Sequence, residues 1–391
     1  METFVGIDIA KEVHWVVALD AHGKELLNRR LLNAPADMMK LVDQLAAFPQ
    51  PVLVGIDVLG GIAAFAQAVL LDAGVALVHV PGLAVNRARQ GTVGGESKSD
   101  PRDARVIAEQ VLRRNDLRRV EACSELDIEL RLLVSRRADL VQEQTRRLAR
   151  MHDLLVGIFP ELEKLLDLTR KSALLLLSVA ATPTALRKCR QATLAKALGT
   201  LAQRAYGQRL IEDACAAAKR QQLSVPGEAF TGRLIQELAT EALATVDRLN
   251  LLDAELEERL ARHPDAALIR SLPGMGALMT AEFIAEAGNI DRFRSPDALA
   301  AAAGLAPVLK QSGKTRWLKR PLGGNKGLKR VFYQSAFASL RSADSKAFYA
   351  RKRSEGKRHH QAIIALARRR INVLWAILKK RQCFVSTVVV A

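Results

Sequence analysis

Aromatic residues are scarce in this chain, at 4% of 391 positions, and none of its four cysteines stands in a C-x-x-C pair. Cys123, Cys189, Cys215 and Cys383 are scattered, so neither a zinc knuckle nor a disulfide framework is indicated and a reduced, cytoplasmic protein is expected. Long apolar runs are missing as well. The nearly apolar stretch Ala173–Ala181 is about half the ~20 residues a membrane span needs, and the Val388–Ala391 tail is shorter still. No basic-then-apolar signal pattern opens the chain. Negative charge is rarest in one place: between Lys310 and Gln382 stand 21 Lys and Arg against only Asp344 and Glu355, a net of +19, while the remainder nets −1. A cationic block of that length and purity fits a polyanion partner, foremost nucleic acid. An anionic membrane surface fits less well, because the basic helices lack a continuous apolar face.

What is abundant is Ala and Leu, within a hydrophobic fraction of 49%, which suits a helix-rich protein with room for two or three domains. Residues 3–9, 13–19 and 25–32 read as three strands, with a turn at His22-Gly23. Helix is expected at 36–47, strand at 52–57, helix at 62–73, strand at 75–80 and helix at 101–114. Three meander strands followed by alternating helix and strand fit a ribonuclease H-like fold, in which the first and fourth strands are neighbours. A long helix is expected at 123–156, through Leu126, Leu130, Leu133, Leu140, Leu148, Met151 and Leu155, although Arg137 and Gln144 interrupt the stripe. A second spans 228–262, through Leu238, Leu249, Leu252, Leu256 and Leu260. Between them lies an Ala/Leu-rich helical insert at about 160–225 with breaks at Pro183 and Pro226. The pair reads either as a plain bundle or as a projecting coiled-coil arm for dimerisation.

Four acids fall where such a fold converges. Asp8 ends the run Phe4-Val5-Gly6-Ile7, Asp57 ends Val52-Leu53-Val54-Gly55-Ile56, and Asp100 and Asp103 lie three apart at a helix start. Carboxylates at strand ends project from a rigid scaffold, and i, i+3 residues share a helix face. Each alone is ordinarily a strand-end or N-cap residue; together they favour a divalent-metal site, as paired Mg²⁺ ions about 4 Å apart can clamp both oxygens of a phosphodiester exchange. Downstream, Leu272-Pro273-Gly274-Met275-Gly276 resembles the turn of a helix-hairpin-helix, where Gly274 and Gly276 allow close backbone geometry and the following amides can bind phosphate. Helices are expected around 297–303, 325–342 and 359–381.

These pieces resemble the DEDD transposases of bacterial insertion sequences, the recombinases guided by a bridge RNA. VGIDIAKEVHWV, VLVGIDVLGG and KSDPRDARVIAE resemble the family's RuvC-like domain, and LIRSLPGMGALMTAEFIAEAGNIDRFRSPDALAAAAGLAP with QSGKTRWLKRPLGGNKGLKR its transposase domain. The matches cover most of residues 3–115 and 266–382. The resemblance implies an α/β plus α protein: a RuvC-like domain at 1–118, long antiparallel helices with the insert at 119–264, and a basic helix-hairpin-helix transposase domain at 265–391. Asp8 matches the first acid, Asp100 and Asp103 the third and fourth, and Asp57 stands where the family usually has Glu, with Gly60 in its expected place. An Asp is one methylene shorter, which brings a metal closer to the strand or leaves room for a bridging water. Ser312, in Gln311-Ser312-Gly313-Lys314, matches the nucleophilic serine; Tyr333 is a rival in the same basic region. Lys314, Arg316, Lys319, Arg320, Lys326, Lys329 and Arg330 are expected on phosphates. Trp317, Phe332 and Tyr333 are candidate stacking residues, Phe332 more readily a core residue. His359 and His360 are expected to be solvated or to face phosphate.

The implied partners are Mg²⁺, donor and target DNA, a noncoding guide RNA, and further copies of the chain in a dimer to tetramer on the nucleoid. Two other readings stay open: a RuvC-type junction nuclease that uses water, and a nucleic-acid-binding protein whose active site has decayed.

Overall fold

The computed structural model describes residues 2–91 and 96–385, so the Val388–Ala391 tail lies outside the described residues. The chain divides into two compact units, Met1–Ser124 and Glu125–Ala391. In the first, β1 (Thr3–Asp8), β2 (Val13–Asp20) and β3 (Glu25–Leu32) form an antiparallel meander. Next come α1 (Pro35–Ala47), β4 (Val52–Ile56), α2 (Ala64–Asp72) and β5 (Ala76–His79), then α3 (Gly82–Gln90), α4 (Asp100–Arg113) and the two-residue β6 (Arg118–Arg119). The sheet order is β3-β2-β1-β4-β5-β6, and β1 lies parallel beside β4, as the sequence pattern predicts. Neither α3 nor β6 was legible: α3 buries only Val85 among nine residues, and β6 is too short to show a period.

Side-chain alternation decides where the acids go. Val5 and Ile7 of β1, with Val52, Val54 and Ile56 of β4, pack on one face with Met38, Leu41 and Leu45 of α1 and Leu70 of α2. The opposite face carries Gly6 and Gly55, which are direct partners in the β1–β4 register. Two residues further along each chain stand Asp8 and Asp57, on that same face by the period of two. Helix α4 lies across the glycines. A Cβ on Gly6 would sit 2.1 Å from the Ala104 carbonyl oxygen, and one on Gly55 2.3 Å from Val111 Cγ2. Because the obstacle at Gly6 is backbone, Gly6→Ala is expected to lower stability by about 3 kcal/mol, the upper end of ordinary overpacking. Urea unfolding measures it, and an unchanged midpoint would show that α4 rests off the sheet.

The second unit is helical apart from one hairpin. The long helices are α5 (Glu125–Ile158) and α11 (Glu228–Arg262). Between them the insert folds as α6 (Pro160–Leu165), α7 (Lys171–Val179), α8 (Pro183–Lys188), α9 (Gln191–Leu198) and α10 (Ala205–Arg220). Pro183, expected as a break, opens α8 behind the Thr182 cap, since proline at a first turn lacks only an amide that would be unbonded anyway. The predicted coiled coil becomes a pair with two apolar ends and a polar middle. Leu130, Val134, Leu256 and Leu260 join the core of the C-terminal helices, whereas Met151, Leu155, Ile235 and Ala239 join the insert core. Arg137, which breaks the stripe, pairs with Asp253, and Gln144 donates to the Ala242 carbonyl.

After α11 come α12 (Ala266–Ser271), α13 (Ala277–Ala287) and α14 (Pro296–Ala302), then the hairpin β7 (Val308–Ser312) and β8 (Thr315–Lys319). Helices α15 (Lys326–Ala338), α16 (Ala343–Ser354) and α17 (His359–Lys380) follow. Of the two glycines expected to shape the turn after α12, only Gly274 takes a positive φ, +86°. Gly276 is at φ −73° and a Cβ there would meet nothing. Gly274 is pressed against the backbone of Ser335 and Ser339, and the buried Arg370 guanidinium donates to Ser335 Oγ and to the Pro273 carbonyl. Arg370 therefore shapes the turn from within; burial lowers its pKa to about 10.

Candidate active site

The acids on the glycine face share one electrostatic neighbourhood. Burial raises the Asp8 carboxyl to about 7, and Asp57, Asp103 and Asp100 push it in the same direction while Lys98 opposes them. Asp57 is raised too, first by burial, with the Ile9 amide partly offsetting it. One oxygen of Asp57, Oδ1, is buried without a hydrogen-bond partner. Asp103 is buried on the inner face of α4 and Asp100 is exposed at its start. Pro101, in the helix's first turn, lies between them.

Two neighbours were not legible in the sequence. Arg89 of α3 donates to both oxygens of Asp103, at 2.7 and 2.8 Å, in a pair whose side chains are 12% and 8% exposed. His79 places Nε2 3.2 Å from the Asp57 carbonyl oxygen, and burial lowers its pKa. An arginine inside a basic helix and a histidine ending a strand carry no pattern that marks them as neighbours of an acid. Among the described residues no three Asp, Glu, His or Cys side chains are already gathered as a cage for an ion. The acids are crowded, and one of them is compensated by a guanidinium.

The other expected residues lie in the second unit. Ser312 ends β7 beside the two-residue turn Gly313-Lys314, where Gly313 has the positive φ (+55°) that such hairpin turns need at their first position. Every residue of both strands is exposed. The cross-strand register puts Ser312, Lys310, Trp317 and Lys319 on one face, with Lys319 Nζ 5.9 Å from the Trp317 ring centre. Lys314, Arg316, Arg320 and Lys326 are also exposed, and Lys329 is half-buried; none of these makes an ion pair among the described residues. Arg330 differs: it pairs with the buried Glu282 at 2.7 Å. Phe332 is fully buried, edge-on to Phe283 at 5.8 Å. The Tyr333 hydroxyl lies 2.8 Å from His360 Nδ1, and Tyr349 and His359 are paired at the same distance. The two histidines thus have tyrosine partners. No signal in the sequence had marked the hairpin as strands, because its alternation never meets a core.

Two family models match this chain, one described as transposase over residues 5–160 and one as transposase IS116/IS110/IS902 family over residues 266–351. The insertion element IS116 uncharacterized 44.8 kDa protein of Streptomyces clavuligerus is 38% identical, over 97% of this chain and 96% of its own length. The chain belongs to the transposase IS116/IS110/IS902 family. The insertion element IS900 uncharacterized 42 kDa protein of Mycobacterium paratuberculosis is likewise 38% identical, covering 96% of this transposase and 95% of the relative. T. thermophilus RuvC in complex with a Holliday junction substrate matches 31% of the transposase and all of that chain at 15% identity. Its TM-score of 0.25 is too low to carry an argument.

A divalent metal fits the donors that this transposase presents: hard carboxylate oxygens, one of them orphaned, and a carboxyl raised by burial and by neighbouring acids. The metal-free protein has a testable signature. The folded Asp8 pKa of about 7 lies above its ordinary 3.8, so the folded state holds a proton that the unfolded chain releases. That contribution is present below pH 4 and lost as pH rises through 7. In chelator, melting temperature is expected to fall between pH 5 and 8, and Asp8→Asn to flatten the fall. Parallel wild-type and variant curves would show that Asp8 is not the group responsible.

Proposed function

We propose that this transposase cleaves and rejoins DNA at a divalent-metal site on a ribonuclease H-like, RuvC-like N-terminal unit, with Ser312 as nucleophile. The observation that supports the reading is that Asp57, Asp103 and Asp100 each bear electrostatically on the half-buried Asp8. Asp8, Asp57, Asp100 and Asp103 would hold Mg²⁺, which when bound supplies Lewis-acid polarisation of a phosphate. Asp57 carries the orphaned oxygen at the position where the resemblance expects Glu, so the shorter side chain still presents a donor.

The Ser312 hydroxyl is a weak nucleophile until a base takes its proton. Its Oγ then bonds to phosphorus as the bond from phosphorus to the departing strand breaks, and the departing oxygen takes up a proton. The serine–DNA ester conserves the phosphodiester bond energy, so a second strand can be joined by the reverse step. Acids and serine belong to different units, and the reading requires those units, from one protomer or two, to act on one DNA. Lys310, Trp317 and Lys319 share the serine's face and suit the flanking phosphates and a base. Donor and target DNA, a noncoding guide RNA and further copies in a dimer to tetramer complete the reading, at the nucleoid. Among the described residues no helix is long and apolar enough to cross a membrane.

A nuclease that uses water needs only the first unit's acids, and one experiment separates the two. Denatured reaction mixtures with labelled DNA are expected to contain a protein–DNA adduct that Ser312→Ala abolishes and Tyr333→Phe retains. An undiminished adduct in Ser312→Ala removes the serine from the chemistry. Strand cleavage without any adduct favours water. For the basic face, Lys319→Ala is expected to weaken binding on every sequence and to reduce the slope of log affinity against log salt by about 1. A salt-independent affinity would remove the phosphate contacts from the model.

A further inference from the structure

The −1 net charge outside the C-terminal block conceals a second basic region. The insert, residues 160–225, carries 11 Lys and Arg against 5 Asp and Glu, a net of +6. Within it lies a cavity of about 270 Å³ lined by Arg170, Lys171, Ser172, Arg204, Tyr206 and Gly207, among others.

Two helices begin at this cavity. Helix α7 starts at Lys171 after Arg170, and α10 starts at Ala205 after Arg204. Both cap positions are arginine, neither offers a side-chain cap, and neither first turn holds an acid. Capping positions ordinarily carry Ser, Thr, Asp or Asn, whose oxygen accepts from the second or third amide. Here the amides of Lys171 and Ser172, and those of Ala205, Tyr206 and Gly207, donate to no backbone carbonyl among the described residues. Two positive helix ends therefore share one concavity whose flanking side chains are cationic instead of oxygen acceptors.

Independently of the helix ends, Ser172 is only 6% exposed, lines the cavity, and makes no hydrogen bond among the described residues. The residue is buried, while its Oγ stays accessible from the cavity that it lines. Arg204 makes no ion pair among the described residues. Arg170 is held with its guanidinium 4.5 Å over the Tyr206 ring and also pairs with the exposed Asp167, while Lys171 pairs with the exposed Asp247. Gly207 is required for the shape: a Cβ there would lie 2.0 Å from the Leu201 carbonyl oxygen, so only glycine lets α10 start this close to the preceding turn.

We infer that this cavity is a phosphate-binding site. A phosphate oxygen would accept from the two sets of helix-end amides and from the Ser172 hydroxyl, with Arg204 and Arg170 balancing its charge. The phosphate is either that of a nucleic-acid backbone held by the insert or a free phosphate. The site is separate from the proposed acids and serine and stands or falls apart from them.

Arginine labelling with phenylglyoxal, mapped by mass spectrometry on the full chain, tests it. Inorganic phosphate, or a DNA duplex at matched phosphate concentration, is expected to slow labelling of Arg204 while leaving Arg209, exposed on the same helix, unchanged. Protection by the duplex alone assigns the site to a nucleic-acid backbone; protection by inorganic phosphate alone assigns it to a free anion. Ser172→Ala removes a hydroxyl with no protein partner, so melting is expected to stay as in wild type while the phosphate needed for protection rises roughly tenfold. Equal labelling of Arg204 and Arg209 under every condition overturns the site. Wild-type protection in Ser172→Ala overturns the role of the hydroxyl and with it the proposed geometry.

Discussion

The contact between α4 and two glycines sets the geometry of the first unit. Gly6 and Gly55 are register partners on adjacent parallel strands, and together they leave a shallow seat in the sheet. Into it the backbone of α4 descends until the Ala104 carbonyl lies where a Cβ would be. Asp8 and Asp57 stand two residues beyond those glycines, and Asp103 one residue before Ala104, so the packing that seats the helix also puts these carboxylates in one electrostatic neighbourhood. Burial disfavours the ionised form of Asp8 first, the neighbouring like charges add to it, and its carboxyl is raised in consequence. Arg89 relieves part of that repulsion at Asp103. A buried acid opposed by an arginine is stable without a metal, yet its oxygens remain of the kind a hard cation takes.

Much of the first unit was legible because its signals are local and periodic. Strand runs of alternating character, the His22-Gly23 turn and Pro101 at a helix start predict five strands and the helices α1, α2 and α4 to within a residue or two. The strand order predicts the adjacency of β1 and β4, and with it the placing of Asp8 and Asp57 just past a pair of register partners, Ile7 and Ile56. What lay hidden depends on contacts without a period. Arg89 reaches Asp103 across 14 positions of sequence, and nothing in the string RARQ announces it. The role of Gly6 is also invisible, since a glycine in a strand looks the same whether it marks a bulge or a close approach.

The C-terminal block shows how composition misleads when partners lie outside the window counted. Between Lys310 and Gln382 the surplus of positive charge suggests that every cation is available to a polyanion. Arg330 is joined to Glu282, Arg368 to Asp297, Lys379 to Asp291 and Arg381 to Asp265, and all four acids precede the block. Arg370 is buried against Ser335 and the Pro273 carbonyl, where it braces the Gly274 turn. These residues hold α15 and α17 onto the elements before them. The exposed cations free of such ties fall into two groups, one on the hairpin and the start of α15 around Ser312 and one, including Lys346, Lys357, Arg358 and Lys380, on α16, α17 and the turn between them, so the area available to nucleic acid is smaller than the net charge alone suggests.

The long helices raise the same question of where polar residues belong. A continuous apolar seam along α5 and α11 would suit a coiled coil; here the apolar clusters lie at the two ends, and Leu140 alone of the buried apolar residues of α5 falls between them. In between, Arg137 meets Asp253 and Arg147 meets Glu241 and Thr245, and toward the C-terminal core Arg259 meets Glu129 and His263 meets Asp127. From Asp127–His263 to Arg147–Glu241 the partners advance in steady antiparallel register. Half-exposed ion pairs add little stability each, on the order of 1 kcal/mol or less. Their weight lies in register: sliding one helix past the other by a turn would set several charges against wrong partners at once. An apolar stripe of Leu and Ala tolerates such a slide far better. The polar middle thus fixes the spacing between the insert core and the core of the C-terminal helices, and it does so with the residues that look like defects in the apolar pattern.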